Sequence, residues 1–234
     1  MRSDVKEAIL KIYTKIEEAK KAQEMSGHTD QGGRQGITSG KHLDQVSSII
    51  KADLISAGFK PEDILDKGKE CELPGWFRPS KNWDILAFDG DSLVSAIELK
   101  TINSSFGNNA NNRAEESIGS AFDVYTAFVE ELLGSCSIPP VIGYVMIVRD
   151  CDSSRAKSKR VRSGHFPIDS VFHGVSYLER FTILCDRLRR KNLYQAVWLV
   201  FADPDSNKVY EPSPALTYEK FLANIVMALS IHRA

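Results

Sequence analysis

Two acidic residues and a lysine, Asp84, Glu98 and Lys100, are spaced so that a β-hairpin would bring them together. Asp84 opens an apolar run that ends at Asp89-Gly90, a strong turn signal, and Glu98 and Lys100 close the returning run. Adjacent carboxylates repel each other, and Mg²⁺, which prefers hard oxygen ligands, would offset that repulsion. The constellation suggests phosphodiester hydrolysis, in which the metal lowers the pKa of a bound water and the lysine steers that water.

The alternation of side chains along the second strand decides where these groups point. Glu98 and Lys100 share one face, while Ile97 and Leu99 point to the other face and can enter the core. We therefore expect Glu98 and Lys100 on a polar face at the strand's end, where burial is incomplete. The alternative interpretation is that all three charged residues are solvated surface groups, which are common at strand ends.

A polar loop rich in asparagine is expected directly after this strand. It spans 101–112 and contains Asn108, Asn109, Asn111 and Asn112. A long helix should follow over about 113–133, with Asn112 as its N-cap and Glu115 completing a capping box. The asparagines either serve turn chemistry and the cap or read bases, since Asn pairs bidentately with adenine and Arg113 could reach guanine or a phosphate. We favour proximity to DNA, so replacing Asn109 or Asn111 by Ala should weaken specific cleavage.

The densest basic segment covers residues 155–162 and lacks any acidic residue. Its cationic residues are Arg155, Lys157, Lys159, Arg160 and Arg162. It is either a solvated loop or a contact to DNA phosphates.

Composition narrows the class of protein. The 234 residues carry 30 Lys and Arg against 31 Asp and Glu, a net charge of −1, so any anion-binding surface needs locally segregated charge. The four cysteines form no Cys-x-x-Cys pair, which argues against structural zinc and for reduced, packed thiols.

The glycine-rich stretch 27–40 lacks the Lys-Ser or Lys-Thr pair that ends a P-loop, so we do not expect it to bind phosphate in that way. No secretory signal or membrane span is evident, so we expect a cytoplasmic protein.

Helical and apolar patterns alternate along the chain, which predicts an α/β fold with a mixed central β-sheet flanked by helices. Helices are expected over 4–24, 42–58, 113–133, 176–190 and 218–231. A β-hairpin is expected over 83–100, and further strands over 141–148 and 196–201. We expect one domain over 1–234, made of N-terminal helices with the glycine-rich loop (1–60), a core (70–205) and a C-terminal helix (206–234).

Three runs of the sequence together resemble the XhoI family of type II restriction endonucleases. They are 73–84 (LPGWFRPSKNWD), 98–100 (ELK) and 105–116 (SFGNNANNRAEE), and the resemblance extends from about residue 40 to 180. It implies a restriction-endonuclease-like core with the PD-(D/E)XK nuclease signature, in which Asp84, Glu98 and Lys100 are catalytic and the two acids bind Mg²⁺. The match differs at one position, where this chain has Trp83 and the signature has proline. Asp44 and Glu116, in motif-like segments, are possible accessory acids.

The resemblance further implies a Mg²⁺-dependent, site-specific deoxyribonuclease that acts on double-stranded DNA in a bacterial or archaeal cytoplasm, beside a cognate DNA methyltransferase. The expected target is CTCGAG, cut after its first base to leave a 5′-phosphate and a 5′ TCGA overhang. A palindrome is most simply read by a homodimer, one subunit per half-site. The alternatives are a repair or recombination nuclease, or a DNA-binding protein whose nuclease core is inactive.

Overall fold

Alternating strands and helices build a layered α/β structure around one large sheet. The computed structural model describes residues 1–25, 42–66, 68–134, 138–158 and 163–234. Its α-helices are α1 (Ser3–Met25), α2 (Asp44–Ser56), α3 (Phe106–Val129), α4 (Asp152–Arg155), α5 (Tyr177–Arg190) and α6 (Tyr218–His232). Its strands are β1 (Ile64–Leu65), β2 (Glu72–Pro74), β3 (Ser80–Asn82), β4 (Ile85–Asp89), β5 (Ser92–Ile102), β6 (Val141–Arg149), β7 (Ala196–Asp203) and β8 (Lys208–Tyr210). Short 3₁₀ turns lie at Pro61–Asp63, Gly68–Cys71 and Ser170–Phe172.

The central sheet is mixed, as predicted. Its six strands follow the order β1-β4-β5-β6-β7-β8. The β5–β6 and β6–β7 pairs are parallel, and the β1–β4, β4–β5 and β7–β8 pairs are antiparallel. A separate antiparallel ribbon joins β2 to β3. The predicted hairpin is therefore confirmed as β4–β5, with Gly90 supplying a positive φ of 60° in its turn.

Helices cover both faces of this sheet, so its inner strands are apolar on both sides. On one face, α1, α2 and α6 pack against Ile85, Ile97, Val145 and Trp198. The opposite face, with Leu86, Ala96, Tyr144, Met146 and Leu199, is covered by α3 and α5. The two catalytic candidates of β5 lie on this second face, because Glu98 and Lys100 alternate with Ile97 and Leu99. None of the helices within the described ranges is long and apolar enough to cross a membrane.

The start of α3 differs from the prediction. The helix begins at Phe106 after Ser105, whose φ of 51° is left-handed, so the four asparagines lie within its first two turns and Asn112 is not its cap. Buried Phe106, Ala110 and Ser117 share one helical face, and packing of that face outweighs the low helix propensity of asparagine. The other predicted helices and strands within the described ranges are confirmed, with ends shifted by a few residues. The glycine-rich stretch 27–40 lies outside the described residues.

Candidate active site

The register of the β4–β5 hairpin brings Asp84 and Glu98 together. Ile85 pairs with Ile97 and Leu86 with Ala96, and Asp84 lies one residue beyond this register, where its backbone N–H donates to the carbonyl oxygen of Ile97 at 3.1 Å. Glu98 and Lys100 follow Ile97 on β5, so the carboxyl group of Asp84 lies near enough to both for their charges to affect its pKa.

Asp84 lies just before β4, and its side chain also bonds to the neighbouring strand at this end of the hairpin. Its Oδ2 accepts a hydrogen bond of 2.7 Å from the backbone N–H of Leu99 on β5. Although much of the residue is exposed, partial desolvation of its carboxyl group raises the pKa of Asp84 above its ordinary value. The Leu99 hydrogen bond and the charge of Lys100 oppose this shift only in part.

Glu98 is buried, which corrects the expectation of an incompletely buried polar face. Only 4% of the residue is exposed, because Ala96 and Ile102 on the same face belong to the core beneath α3. Its Oε1 is paired with Lys100 Nζ at 2.5 Å and with Lys81 Nζ at 3.2 Å. Burial opposes ionisation, but the charges of Lys100 and Lys81 outweigh it and hold the pKa of Glu98 below its ordinary value.

Lys81 is a site residue that sequence reasoning missed. It lies on β3, and its ammonium group sits 4.6 Å from the ring centre of Trp83 while it pairs with Glu98. Its side chain is only 14% exposed, compared with 25% for that of Lys100. This second lysine lies on the β2–β3 ribbon, outside the central sheet. The sequence feature that could have indicated Lys81 is its position two residues before Trp83, within the run 73–84 that leads to Asp84.

An open cleft of about 910 Å³ lies over Lys81, Glu98 and Lys100, whereas Asp84 is not among the residues that line it. It is lined by Phe77, Arg78, Lys81, Glu98, Lys100, Glu115, Glu116, Gly119, Ser120, Phe122 and Asp123. One wall is α3 and the other is the loop that joins β2 to β3, so the charged floor is reachable from solvent.

Asp123 of α3 holds in place the loop between β2 and β3, which forms one wall of the cleft. Its Oδ1 accepts from the backbone N–H groups of Trp76 and Phe77 at 2.9 and 2.8 Å, and its Oδ2 accepts from Arg78 Nε at 2.6 Å. Gly75 permits this approach, since a Cβ there would stand 2.6 Å from Asp123 Oδ2. Burial opposes ionisation of Asp123, but these hydrogen bonds hold its pKa below the ordinary value. The contact fixes the loop between β2 and β3 relative to α3.

The donor set fits a magnesium ion. Within the described residues, Asp84 Oδ1 and Glu98 Oε2 accept no hydrogen bond, so each acid keeps one oxygen for another partner. Mg²⁺ is usually bound by one or two carboxylates together with waters and phosphate oxygens. No group of three or more His, Cys, Asp or Glu side chains in the described ranges could hold a metal, so a fuller protein cage is not present there. The sparse pair suits a metal whose remaining ligands come from water and phosphate.

The two accessory acids have different locations. Glu116 lines the cleft and forms an ion pair of 2.8 Å with Arg113. Asp44 opens α2, which packs on the other face of the sheet. The structure therefore brings Glu116 near the candidate site and leaves Asp44 away from it.

The asparagines of α3 divide into two pairs. Asn109 donates to the backbone oxygen of Ser104 at 2.8 Å, and Asn111 accepts from Arg180 at 2.8 Å. Asn108 and Asn112 are exposed, and their spacing from the cleft-lining Glu115 and Gly119 puts them on the same side of the helix. Asn109 and Asn111 are thus occupied within the protein, whereas Asn108 and Asn112 face the solvent beside the cleft.

The basic segment is only partly described. Arg155 is paired with Asp150 at 2.7 Å and with Asp203 at 2.9 Å, so internal acids already neutralise it. Lys157 is exposed and forms an isolated antiparallel bridge with Ser176. Lys159, Arg160 and Arg162 lie outside the described residues. Lys157 is therefore the described cation of this segment that remains available to a phosphate.

Comparison with known proteins gives consistent matches. The sequence profile of a family described as restriction endonuclease XhoI matches residues 22–212. The type II restriction enzyme XhoI of Xanthomonas vasicola is 42% identical over 170 residues, which cover 71% of this chain and 68% of the relative. The type II restriction enzyme BstVI of Geobacillus stearothermophilus is 32% identical over 214 residues, covering 88% of this chain and 94% of the relative. The type II restriction enzyme AbrI of Azospirillum brasilense is 37% identical over 163 residues, covering 69% and 72%. No solved structure matches the chain significantly.

Proposed function

Since the chain belongs to the XhoI family of type II restriction endonucleases, we propose that it hydrolyses double-stranded DNA at CTCGAG in a Mg²⁺-dependent reaction. Cleavage after the first base of each strand leaves a 5′ TCGA overhang with a 5′-phosphate and a 3′-hydroxyl. The observation that carries the proposal is that Glu98 and Lys100 form an ion pair at the floor of an open cleft, with the carboxyl group of Asp84 bonded to the backbone of Leu99 between them.

The free oxygens of Asp84 and Glu98 are the proposed metal ligands. A Mg²⁺ ion held by these two acids would supply positive charge near the scissile phosphate and would make a nearby water easier to deprotonate. Lys100 would orient the attacking water, since its ammonium group lies 2.5 Å from Glu98 Oε1 and reaches the cleft. The water would lose a proton to solvent as its oxygen bonds to phosphorus, the bond from phosphorus to the 3′ oxygen would break, and that oxygen would take up a proton from solvent and leave as the hydroxyl.

Base recognition is proposed for the cleft side of α3 together with the basic segment. Asn108 and Asn112 present amide groups that can pair with adenine, and Lys157, with Lys159 and Arg160, would contact phosphates. Arg113 is half-buried and paired with Glu116, so its contact with DNA requires that pair to open. These contacts would set the register of the duplex over Glu98.

The proposed assembly is a homodimer in the cytoplasm of a bacterium or archaeon. One site of this kind cuts one strand, and a two-fold pair of subunits matches a palindrome. A cognate methyltransferase would protect the host's own CTCGAG sites. The 234 residues are proposed to act as one endonuclease domain, in which both faces of a single sheet are covered by helices from the two ends and the middle of the chain.

Digestion of a sequenced plasmid tests this function. With Mg²⁺ we expect discrete fragments whose ends all map to CTCGAG and carry 5′ TCGA overhangs, and with excess chelator we expect intact DNA. Discrete fragments with other ends would refute the target while leaving a site-specific nuclease. Cleavage confined to branched or damaged DNA would indicate a repair nuclease, and undigested plasmid in Mg²⁺ would indicate a protein that only binds DNA.

A further inference from the structure

Three cations line the described part of the active-site cleft, and two of them are already bound to Glu98. The three are Arg78, Lys81 and Lys100. Lys81 and Lys100 place their ammonium groups 3.2 and 2.5 Å from the same oxygen of Glu98, so their charges serve that acid. Arg78 forms no ion pair with Glu98 among the described residues. It is therefore the cleft-lining cation that the account of the site has not yet used.

The guanidinium of Arg78 is held by one of its edges. Its Nε donates to Asp123 Oδ2 at 2.6 Å, and its Nη2 donates to Ser120 Oγ at 3.4 Å. These two nitrogens form the side-on edge of the planar group. Nη1 has no hydrogen-bond partner within the described part of the chain. The end-on edge, formed by Nη1 and the second N–H of Nη2, thus keeps two parallel donors, which is the fork geometry that matches a phosphate.

The position of this end-on edge is set by a buried acid and a crowded loop. The side chain of Asp123 is only 5% exposed, whereas that of Arg78 is 40% exposed. A Cβ at Gly75 would stand 2.8 Å from the backbone oxygen of Arg78 and 2.9 Å from its Cγ, so the loop packs closely around the base of this side chain. The exposed end of Arg78 is therefore oriented before a ligand arrives, which lowers the entropy cost of binding.

The cleft beside this edge has room for a nucleic-acid backbone. Gly119 of α3 lines the cleft next to Ser120, and a Cβ at Gly119 would meet nothing within 4 Å. Glu115 and Glu116, the other acids of this helix that line the cleft, lie about one helical turn earlier. At the level of the guanidinium the α3 wall is therefore open, and the acid there, Asp123, is already neutralised.

We propose that Arg78 is a further catalytic residue, whose end-on edge binds the non-bridging oxygens of the scissile phosphate. The inference rests on the proposed function, in which a phosphodiester is hydrolysed beside Glu98 and Lys100. Negative charge grows on the non-bridging oxygens as water adds to phosphorus, so a fixed pair of charged donors binds the transition state more tightly than the ground state. Lys81 and Lys100 are less suited to this role, because their ammonium groups already bind a carboxylate.

Arg78→Lys separates the phosphate contact from the loop contact. Lysine can keep an ion pair with Asp123, but it lacks the planar fork that would bind a phosphate at the same time. We expect this variant to keep the melting temperature of the unaltered chain and to cut DNA roughly 10²-fold more slowly in single-turnover measurements with Mg²⁺. Arg233→Lys is the matched control, because the side chain of Arg233 is 41% exposed and is paired with Asp89 outside the cleft. Equal cleavage rates for Arg78→Lys and Arg233→Lys would overturn the proposal.

A duplex with a neutral group at the cleavage point tests the contact itself, without metal and without cleavage. In excess chelator, the affinity for the duplex that the unaltered chain cuts is compared with the affinity for the same duplex carrying a methylphosphonate at the scissile position. The ratio of these affinities should fall roughly tenfold in Arg78→Gln and stay unchanged in Arg233→Gln, because the first variant alone loses a charged contact to the altered group. An unchanged ratio in Arg78→Gln, whatever its cleavage rate, would show that Arg78 only supports the loop.

The outcome for Arg78 is separable from that of the proposed function. Cleavage at CTCGAG together with an unchanged affinity ratio refutes the role of Arg78 alone. Cleavage at another site together with a tenfold fall of the ratio in Arg78→Gln refutes the proposed target alone. An unaltered chain that cuts no DNA refutes both, because there is then no scissile phosphate for Arg78 to bind.

Discussion

Two lysines hold Glu98 in its ionised form at a position that is otherwise part of the core. A buried carboxylate without partners would take up a proton, and Lys100 and Lys81, 2.5 and 3.2 Å away, prevent this. The pKa of Asp84, whose carboxyl group is bonded to the backbone of Leu99, shifts upward instead, because desolvation there outweighs the charges of the lysines. The pKa values of the two acids of the candidate metal site thus shift in opposite directions.

The raised pKa of Asp84 predicts that its charge costs stability. At acid pH the carboxyl is protonated in the folded and unfolded chain. As pH rises from the ordinary pKa to the raised folded pKa, the unfolded chain ionises first, so the stability of the folded chain falls and then stays at the lower level. Asp84→Asn can keep the Leu99 hydrogen bond without the charge. We expect this variant, in chelator, to melt at a higher temperature than the unaltered chain at pH 7, with the difference vanishing at acid pH.

Differential scanning calorimetry across pH measures this effect. Asp91→Asn, at an exposed carboxylate in the β4–β5 turn for which the described residues offer no ion pair, is the control and should leave the melting temperature unchanged. A lower melting temperature for Asp84→Asn at pH 7 would show that the charge of Asp84 stabilises the fold, contrary to this account.

Lys81 is expected to position the charge of Glu98 rather than to act on the substrate. Because Lys81 lowers the pKa of both Glu98 and Asp84, Lys81→Met should raise both pKa values. The acid limb of the cleavage-rate profile should then move to higher pH. Lys208→Met is the matched control, since Lys208 lies over the ring of Tyr210 at 4.8 Å on the far edge strand. A uniform loss of rate in Lys81→Met at every pH would indicate a merely structural residue.

At the scale of elements, local sequence patterns predicted the hairpin correctly but placed the first residue of α3 too late in the sequence. The β4–β5 pair follows from short-range signals, namely two apolar runs with Asp89-Gly90 between them. Asparagine favours caps and turns, so the run 108–112 indicated a loop, whereas Phe106 and Ala110 carry the helix into the core. The spacing of Phe106, Ala110 and Ser117 was the signal for the earlier start.

The orientation of α3 predicts which asparagines contribute to recognition. Asn108 and Asn112 are exposed beside the cleft, while Asn109 and Asn111 bind within the protein. Asn108→Ala or Asn112→Ala should each reduce cleavage of the cognate duplex roughly 5–150-fold, because a bidentate pair between Asn and adenine contributes about 1–3 kcal/mol. Non-specific binding should change little, because phosphate contacts remain.

Competition between cognate and scrambled duplexes measures this discrimination. Asn224→Ala, on α6 across the sheet, is the control and should preserve it. A greater loss of discrimination in Asn109→Ala than in Asn112→Ala would contradict the assignment.

At the scale of the whole molecule, the parts of the site that sequence did not predict are those that depend on long-range packing. Glu98 and Lys100 lie on one strand, so alternation along it placed them on one face, and Asp84 directly precedes the paired strand of the same hairpin. The burial of Glu98 depends on α3 and on a sheet covered on both sides, and Lys81 arrives on a separate ribbon. Asp123 binds the loop between β2 and β3 through residues more than 40 positions away in the sequence. None of these contacts follows from local spacing.

The central claim is that Glu98, held ionised between two lysines, belongs to the site that cuts DNA. The most direct test is the single-turnover cleavage rate of a CTCGAG duplex in Mg²⁺ by Glu98→Gln, measured together with binding of the same duplex. Glu219→Gln, an exposed acid on α6, is the control and should cut at the unaltered rate. We predict that Glu98→Gln binds the duplex within a few-fold of the unaltered chain and cuts it roughly 10²–10³ times more slowly. Cleavage by Glu98→Gln at the rate of Glu219→Gln would contradict the account.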